Sequence, residues 1–427
     1  MKKIAVGLFF LAGCMAALAG CGNKVKDSLK DSTETAAEPE EGAEVLESGS
    51  VELTMWSEAA NFDLLNTMID NFKAEHAGEV DLTVTLVENL DSNIRGDVLN
   101  DVHNAPDVFT LVDDQLIDLV GGGALAAVPN QEEISKANLE DAVSAASMEG
   151  TLYAYPMTAD NGYFLYYDKR YFSDVDIQTL DGILNVAAAN NKKFTMDWSS
   201  GWYMYAFFGC TGLEFGVNED GITNYCNWNA TEGEVKGVDI AQALMNIGAN
   251  PGFKSCLDAE FLAGVKEGSI IAGVSGVWNA VEIQEAWGED YGAVKLPTYT
   301  CGGKQIQMSS FKGYKMLGVN YYSKHKEWAL KLADYLTNEE NQKLRLEVRN
   351  QGPSNKNVAS SEMVSSIPAI QAVIAQAEYG KLQRVGNSYW NPFMDFGERM
   401  ATGRLNGLTL QEVMDQLVAG ITAATVQ

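Results

Sequence analysis

The sequence predicts an α/β protein with mostly parallel sheets. Three observations predict it. Strand-like and helix-like patterns alternate from residue 51 to residue 114, the pattern that βαβ units leave in a sequence. At 427 residues the chain is long enough for two domains. Hydrophobic content of 46% and charged content of 21% are those of an ordinary globular protein.

The elements follow in order. VELTMW at 51–56 reads as a strand, and Leu64, Leu65, Met68, Ile69 and Phe72 then fall on one helical face. VDLTVTLV at 80–87 alternates as a second strand. PDVFTLVDD at 106–114 is a third with an abrupt polar end. In parallel sheets ligands bind beyond the carboxyl ends of strands. Glu58 follows the first strand there, and Asp113 and Asp114 follow the third. Taken singly, each reads better as a helix cap or turn residue. The tyrosine-rich segment 149–172 reads as two short extended runs broken by Pro156 and Asn161-Gly162, as a chain passing between two domains would.

Further on, Asp220-Gly221 signals a hairpin turn, and EGEVKGVDIAQALMNI a helix. GSIIAGVSGVWNAVE reads as a buried strand, a glycine turn and a helix with Trp278 at its start. Residues 291–299 and 312–320 are extended runs, 325–348 a long amphipathic helical region, and Thr409 with Glu412 spells a capping box before the last helix. No internal repeat is present. SSGWYMYAFFGC at 199–210 packs five aromatic rings closely. With Ser199 or Ser200 as N-cap, helical spacing puts Met204, Phe207 and Phe208 on a core face. Trp202, Tyr205 and Ala206 then fall opposite, with Tyr203 on a flank.

The N-terminus carries a signal. MKK is followed by an uncharged run at 4–20, short of the roughly 20 apolar residues of a membrane span and flanked like a signal peptide. It ends LAGCGN, which resembles a bacterial lipobox with Cys21 as the lipid-carrying residue. Residues 24–50 hold few large apolar side chains and read as a solvated, disordered acidic tether. Such a lipoprotein is expected on the extracellular face of the cytoplasmic membrane, in a Gram-positive type of envelope. Cys210, Cys226, Cys256 and Cys301 show no metal-binding spacing. Cys210 and Cys226 bracket the hairpin and form the candidate disulfide; the alternative is four free thiols. The net charge of −28 argues against nucleic acid as a partner, because phosphate binding needs Lys and Arg clusters and the sequence shows none.

In this order and spacing the blocks NAPDVFTLVDDQLIDLVGGGALAAV, GTLYAYPMTADNGYFLYYDKRYF, KEGSIIAGVSGVW, YGAVKLPT, YLTNEENQKL and YWNPFMDFGERMATGRLNGLTLQEVMDQL resemble one family over residues 51–425. The chain resembles extracellular solute-binding proteins of ABC sugar importers, in the maltose- and maltodextrin-binding group. The resemblance implies a two-lobed fold of the periplasmic-binding-protein type II class, each lobe a mostly parallel sheet flanked by helices, joined by hinge crossovers. It implies a first lobe of 51–158 plus 313–360 and a second of 159–312 plus 361–427, with 1–20 as signal peptide and 21–50 as lipidated cysteine and tether.

It also implies a site. Three aromatic positions of the group fall on Trp202, Trp278 and Trp390, and its acidic positions fall on Asp160 and Asp114; from the helical spacing, Tyr203 or Tyr205 would help Trp202. Glu58 lies in a loop that carries polar contacts. Rings bury sugar C–H faces, and carboxylates accept strong hydrogen bonds from hydroxyls. Four positions depart from the group: Leu111, Gln115, Met394 and Ser200. Trp56, Trp198, Trp228, Trp287 and Trp328 read as structural. The resemblance implies a binding protein, not an enzyme; no cofactor or metal is expected, and the folded chain is expected to be a monomer. It would capture an oligosaccharide of maltodextrin type and deliver it to a membrane permease. The alternatives are a binder of another oligosaccharide or small solute, an extracellular glycosidase, which also needs carboxylates in a cleft, and a surface adhesin.

Overall fold

The computed structural model describes residues 49–220 and 222–424. The expected signal peptide, Cys21 and the tether as far as residue 48 lie outside the described residues, as does Gly221. Ten strands form two five-stranded sheets. They are β1 (Ser50–Ser57), β2 (Asp81–Glu88), β3 (Val108–Val112), β4 (Ala154–Thr158), β5 (Phe164–Asp168), β6 (Lys193–Thr195), β7 (Phe253–Lys254), β8 (Ile270–Ser275), β9 (Tyr291–Val294) and β10 (Lys315–Val319). The first sheet has the order β2-β1-β3-β10-β4 and the second β7-β6-β8-β5-β9.

The two sheets share a plan. In the first, β1 lies parallel between β2 and β3, and β10 runs antiparallel to both β3 and β4. In the second, β6 lies parallel between β7 and β8, and β5 runs antiparallel to both β8 and β9. Four strands of each sheet therefore point one way and the fourth in order is reversed. That reversed strand is the one the chain enters on crossing over. Residues 159–163 carry it from β4 into β5, and Gly313 and Tyr314 carry it from the strand Ser310–Lys312 into β10. The sequence break at Asn161-Gly162 is thus the first crossing, whereas Pro156, expected to break the run, lies inside β4 paired with Met316.

Local chemistry explains the flanking helices. Helix Phe62–Glu75 buries Leu64, Leu65, Met68, Ile69 and Phe72, the stripe its 3.6-residue spacing dictates. Each such burial stabilises by roughly 1.5–3 kcal/mol. The long amphipathic stretch is two helices, Lys326–Thr337 and Glu339–Arg349, divided at Asn338, whose side chain accepts from the Asn341 N–H. The last helix, Leu410–Ile421, opens on the expected box. Glu412 N–H donates to Thr409 Oγ1, and Thr409 N–H donates to Glu412 Oε2 at 2.7 Å. One apolar cluster backs each sheet. A third joins Leu346 and Val358 to Phe164, Tyr166 and Ala369, so residues 339–359 also pack towards the second sheet.

One expectation is overturned. Cys210 and Cys226 are both free thiols, as are Cys256 and Cys301. The hairpin does form, between Phe215–Val217 and Asn224–Cys226, but its register sets Cys226 opposite Phe215. Cys210 lies before the paired strands, and its thiol sits against Ser309 instead. Burial pushes the Cys226 thiol up to about 12, which keeps it protonated.

Candidate functional site

The stretch 199–210 forms one α-helical turn, Gly201–Met204, and then a 3-10 turn, Tyr205–Phe207. Ser200 is the N-cap residue without a side-chain cap bond. Met204, Phe207 and Phe208 are buried as the spacing predicts. Tyr205 and Ala206 are buried too, against the expectation that they face outward. The segment leading to the second crossing covers them. Tyr205 stacks on Phe311 with centroids 4.3 Å apart, and Ser309 N–H donates to Ala206 O. Trp202 remains half-buried.

The tryptophans divide cleanly. Trp198, Trp228, Trp287 and Trp328 are buried; Trp56, Trp202, Trp278 and Trp390 are half-buried. Trp202 and Trp278 are neighbours, with ring centroids 5.7 Å apart and planes tilted by 42°. A sandwiched sugar ring would need two van der Waals spacings, about 7–8 Å. The pair is therefore a continuous bent floor and not a clamp. Both edges are anchored. Trp278 Nε1–H donates to Asp258 Oδ2 at 3.0 Å, and Asp258 Oδ1 accepts from Ser275 Oγ and, at 3.4 Å, from Tyr203 OH. Burial raises the Asp258 carboxyl above the ordinary carboxylate range.

The first lobe faces this floor with charge. Lys315, at the start of β10, lies 2.6 Å from Asp91 Oδ2 and 4.0 Å from Glu58 Oε2. Its Nζ also stands 5.6 Å from the centroid of the Trp278 ring, within cation–π range. Burial opposes the lysine charge, but Asp91 and Glu58 outweigh it and hold its pKa above the usual value. Lys315 pulls Glu58 down, yet burial and the Asp91 charge leave that carboxyl raised.

Gln383 ties the two walls together. Its Oε1 accepts from Trp202 Nε1–H at 2.9 Å and from Asn161 Nδ2–H at 3.1 Å, while its Nε2–H donates to Asp114 Oδ1 at 2.7 Å. Burial pushes Asp114 up to about 6, against the pull of that hydrogen bond. Asp113 is buried at the second crossing. Its Oδ1 accepts from Tyr314 N–H, its Oδ2 has no partner, and burial followed by the Asp114 charge pushes it up to about 7. A side chain at Gly313 would run into Asp113 and Asn161.

The structure thus brings together Trp202, Trp278, Tyr203, Asp114 and Glu58. Asp160 lies beneath them, its carboxylate accepting from the Gly352 N–H and raised by burial. Trp390 stands apart, with Tyr389 and Phe311 as its ring neighbours, and Tyr205 faces the core. Of the departing positions, Leu111 and Gln115 are buried, and Met394 is exposed. Gln383, Asp258, Asp91 and Lys315 are additions that no motif announced. Lys315 alone left a trace, as a charge opening an otherwise apolar strand. Among the described residues no group of three or more His, Cys, Asp or Glu side chains could hold a metal ion.

Comparison with known proteins fits this architecture. The profile of bacterial extracellular solute-binding proteins matches residues 67–372. The chain belongs to that family. It is similar to the galactooligosaccharide-binding protein of Bacillus subtilis (strain 168), with 27% identity over 94% of this chain and 93% of the relative. It is similar to the maltooligosaccharide ABC transporter solute-binding lipoprotein of Streptococcus pneumoniae (strain ATCC BAA-255 / R6), with 24% identity over 88% and 86%. A solved structure described as a complex with acarbose superposes with a TM-score of 0.78 at 28% identity, over 88% of this chain and 99% of the other. The ligand-free maltodextrin-binding protein MalE1 of L. casei BL23 shares the fold at 23% identity with a TM-score of 0.71, over 88% and 100%. Family membership makes this a two-lobed solute-binding protein and not an enzyme.

Proposed function

We propose that this solute-binding protein captures an oligosaccharide between its lobes and hands it to an ABC importer permease. The observation that carries the reading is the bent Trp202–Trp278 floor facing the charged Glu58–Lys315–Asp91 wall. A pyranose has apolar C–H faces and a hydroxyl rim, and it needs both surfaces. In this conformation the two walls bond to each other through Gln383 and Lys315. A sugar must part them, so hinge motion at residues 159–163 and 313–314 accompanies binding. Sheet membership supports lobes of 51–158 plus 313–360 and 159–312 plus 361–427.

Trp202, Trp278, Asp114 and Glu58 are the proposed sugar contacts, with Asp160 buried beneath them and Tyr203 supporting Trp278 through Asp258. The sugar is of the maltooligosaccharide or galactooligosaccharide kind, as the names of the relatives suggest. We assign the protein, as a monomer, to the outer face of the cytoplasmic membrane, held by lipid on Cys21. Calorimetry against maltooligosaccharides and galactooligosaccharides tests the reading. Binding in the micromolar range or tighter is expected for one series. Binding of a peptide or polyamine with no oligosaccharide bound would refute it, as would release of reducing ends. Cys21→Ser is expected to move the protein into the medium; retention on the membrane would overturn the anchor.

A further inference from the structure

We propose that Lys315 is a specificity-determining ligand contact, donating a charge-assisted hydrogen bond to one hydroxyl of the sugar that lies on Trp278. The proposal rests on the oligosaccharide reading and adds to it a donor that the sequence pattern did not assign. An ammonium carries three N–H donors and no acceptor. Asp91 Oδ2, at 2.6 Å, takes one of them. Glu58 Oε2 at 4.0 Å is beyond hydrogen-bond range. The Trp278 face attracts the charge but accepts no conventional hydrogen bond. Among the described residues, then, an ammonium whose side chain is only 14% exposed retains donors without a protein acceptor, and leaving such donors poorly paired is costly.

Their position gives them a use. Lys315 is on the first lobe, Trp278 on the second, and the space between them is where the two walls meet. A sugar seated on the Trp278 ring brings its hydroxyl rim to the ammonium, and that hydroxyl supplies the missing acceptor. The Asp91 ion pair fixes the ammonium in advance, and Thr110 Oγ1–H in turn donates to Asp91 Oδ1 at 2.7 Å. Such preorganisation limits the ordering cost of binding. A fixed donor rewards a hydroxyl in one configuration and not its epimer, which is how this residue discriminates between sugars.

The test is calorimetric titration of wild type, Lys315→Met and Asp91→Asn/Lys315→Met with maltotriose and galactotriose. The double variant guards against misfolding, because it removes the carboxylate that Lys315→Met leaves buried without its partner. Thermal melts check that each variant folds. The expected result is binding of the preferred trisaccharide about tenfold to a hundredfold more weakly in the folded variants, as for loss of a hydrogen bond to a charged group. Monodeoxy analogues of that trisaccharide give a readout that a structural role would not move. One hydroxyl should matter in wild type and cease to matter once Lys315 is gone. Unchanged affinity in a folded variant, or equal deoxy penalties with and without Lys315, would overturn the assignment. If wild type binds no oligosaccharide at all, the proposed function fails first, and this contact with it.

Discussion

Replacing Asp113 with asparagine should remove a pH-dependent loss of stability. Asp113 is 1% exposed, its Oδ2 has no hydrogen-bond partner, and its carboxyl is pushed from 3.8 up to about 7. Between those values the folded state holds a proton that the unfolded chain has released. Stability therefore falls as pH rises through that window. At 1.36 kcal/mol per pKa unit the ceiling is about 4 kcal/mol, and about 2–4 kcal/mol is expected after relaxation of the site. Asparagine keeps the oxygen that accepts from Tyr314 N–H and carries no charge at any pH. Urea unfolding of both proteins at pH 4 and pH 8 is the assay. The wild type also pays for the self-repulsion of its net charge of −28, so the readout is the difference between the two proteins. That difference should grow in favour of the variant by about 2–4 kcal/mol from pH 4 to pH 8. Parallel stability curves would refute the reasoning. Asp114 lies next to Asp113 and titrates with it, so the slope belongs to the pair.

Three further outcomes follow from the geometry. Trp202→Ala should weaken oligosaccharide binding at least tenfold with little loss of stability. Trp228→Ala, at a ring stacked 4.2 Å from Phe208 in the core, should cost about 3–5 kcal/mol of stability; reversed effects would exchange the two roles. Gln383→Ala removes the acceptor for Trp202 and the donor to Asp114, and small-angle scattering should show a larger radius of gyration for the ligand-free variant; equal radii would mean that Gln383 does not hold the walls together. Thiol counting on a denatured, unreduced fragment of residues 49–427 should find four free thiols, and two would reinstate the Cys210–Cys226 bridge.

The fold was legible wherever periodicity reports burial directly. The face Leu64, Leu65, Met68, Ile69 and Phe72 is buried as read, and the Thr409–Glu412 box forms because both partners lie within one turn. The hairpin was legible, but its register was not. Register is set by strand pairing and turn length, and the shift that places Cys226 opposite Phe215 leaves no mark in composition. Tyr205 failed for a related reason. Helical spacing gives a side chain its direction, but not what lies there, and Phe311, far along the chain, covers that face.

The site divides along the same line. Rings announce themselves, because tryptophan is rare enough that a positional match singles out Trp202, Trp278 and Trp390, of which the first two are neighbours. Their hydrogen-bonding partners do not. Gln383 meets Asp114 across 269 residues of sequence and Trp202 across 181, and nothing within GKLQRVGN marks its glutamine as the joint between two lobes. Lys315 shows the limit most clearly. In an isolated strand KMLGV it is an ordinary edge charge, and exposing it costs little. Only the crossing at Gly313 turns it inward, between two carboxylates and an indole, where the same ammonium becomes costly to leave half-satisfied. Its importance is therefore a property of the second crossing. A variant that keeps every side chain of the site but stiffens residues 313–314 should lose binding, because the donor and the ring floor could no longer part and meet again.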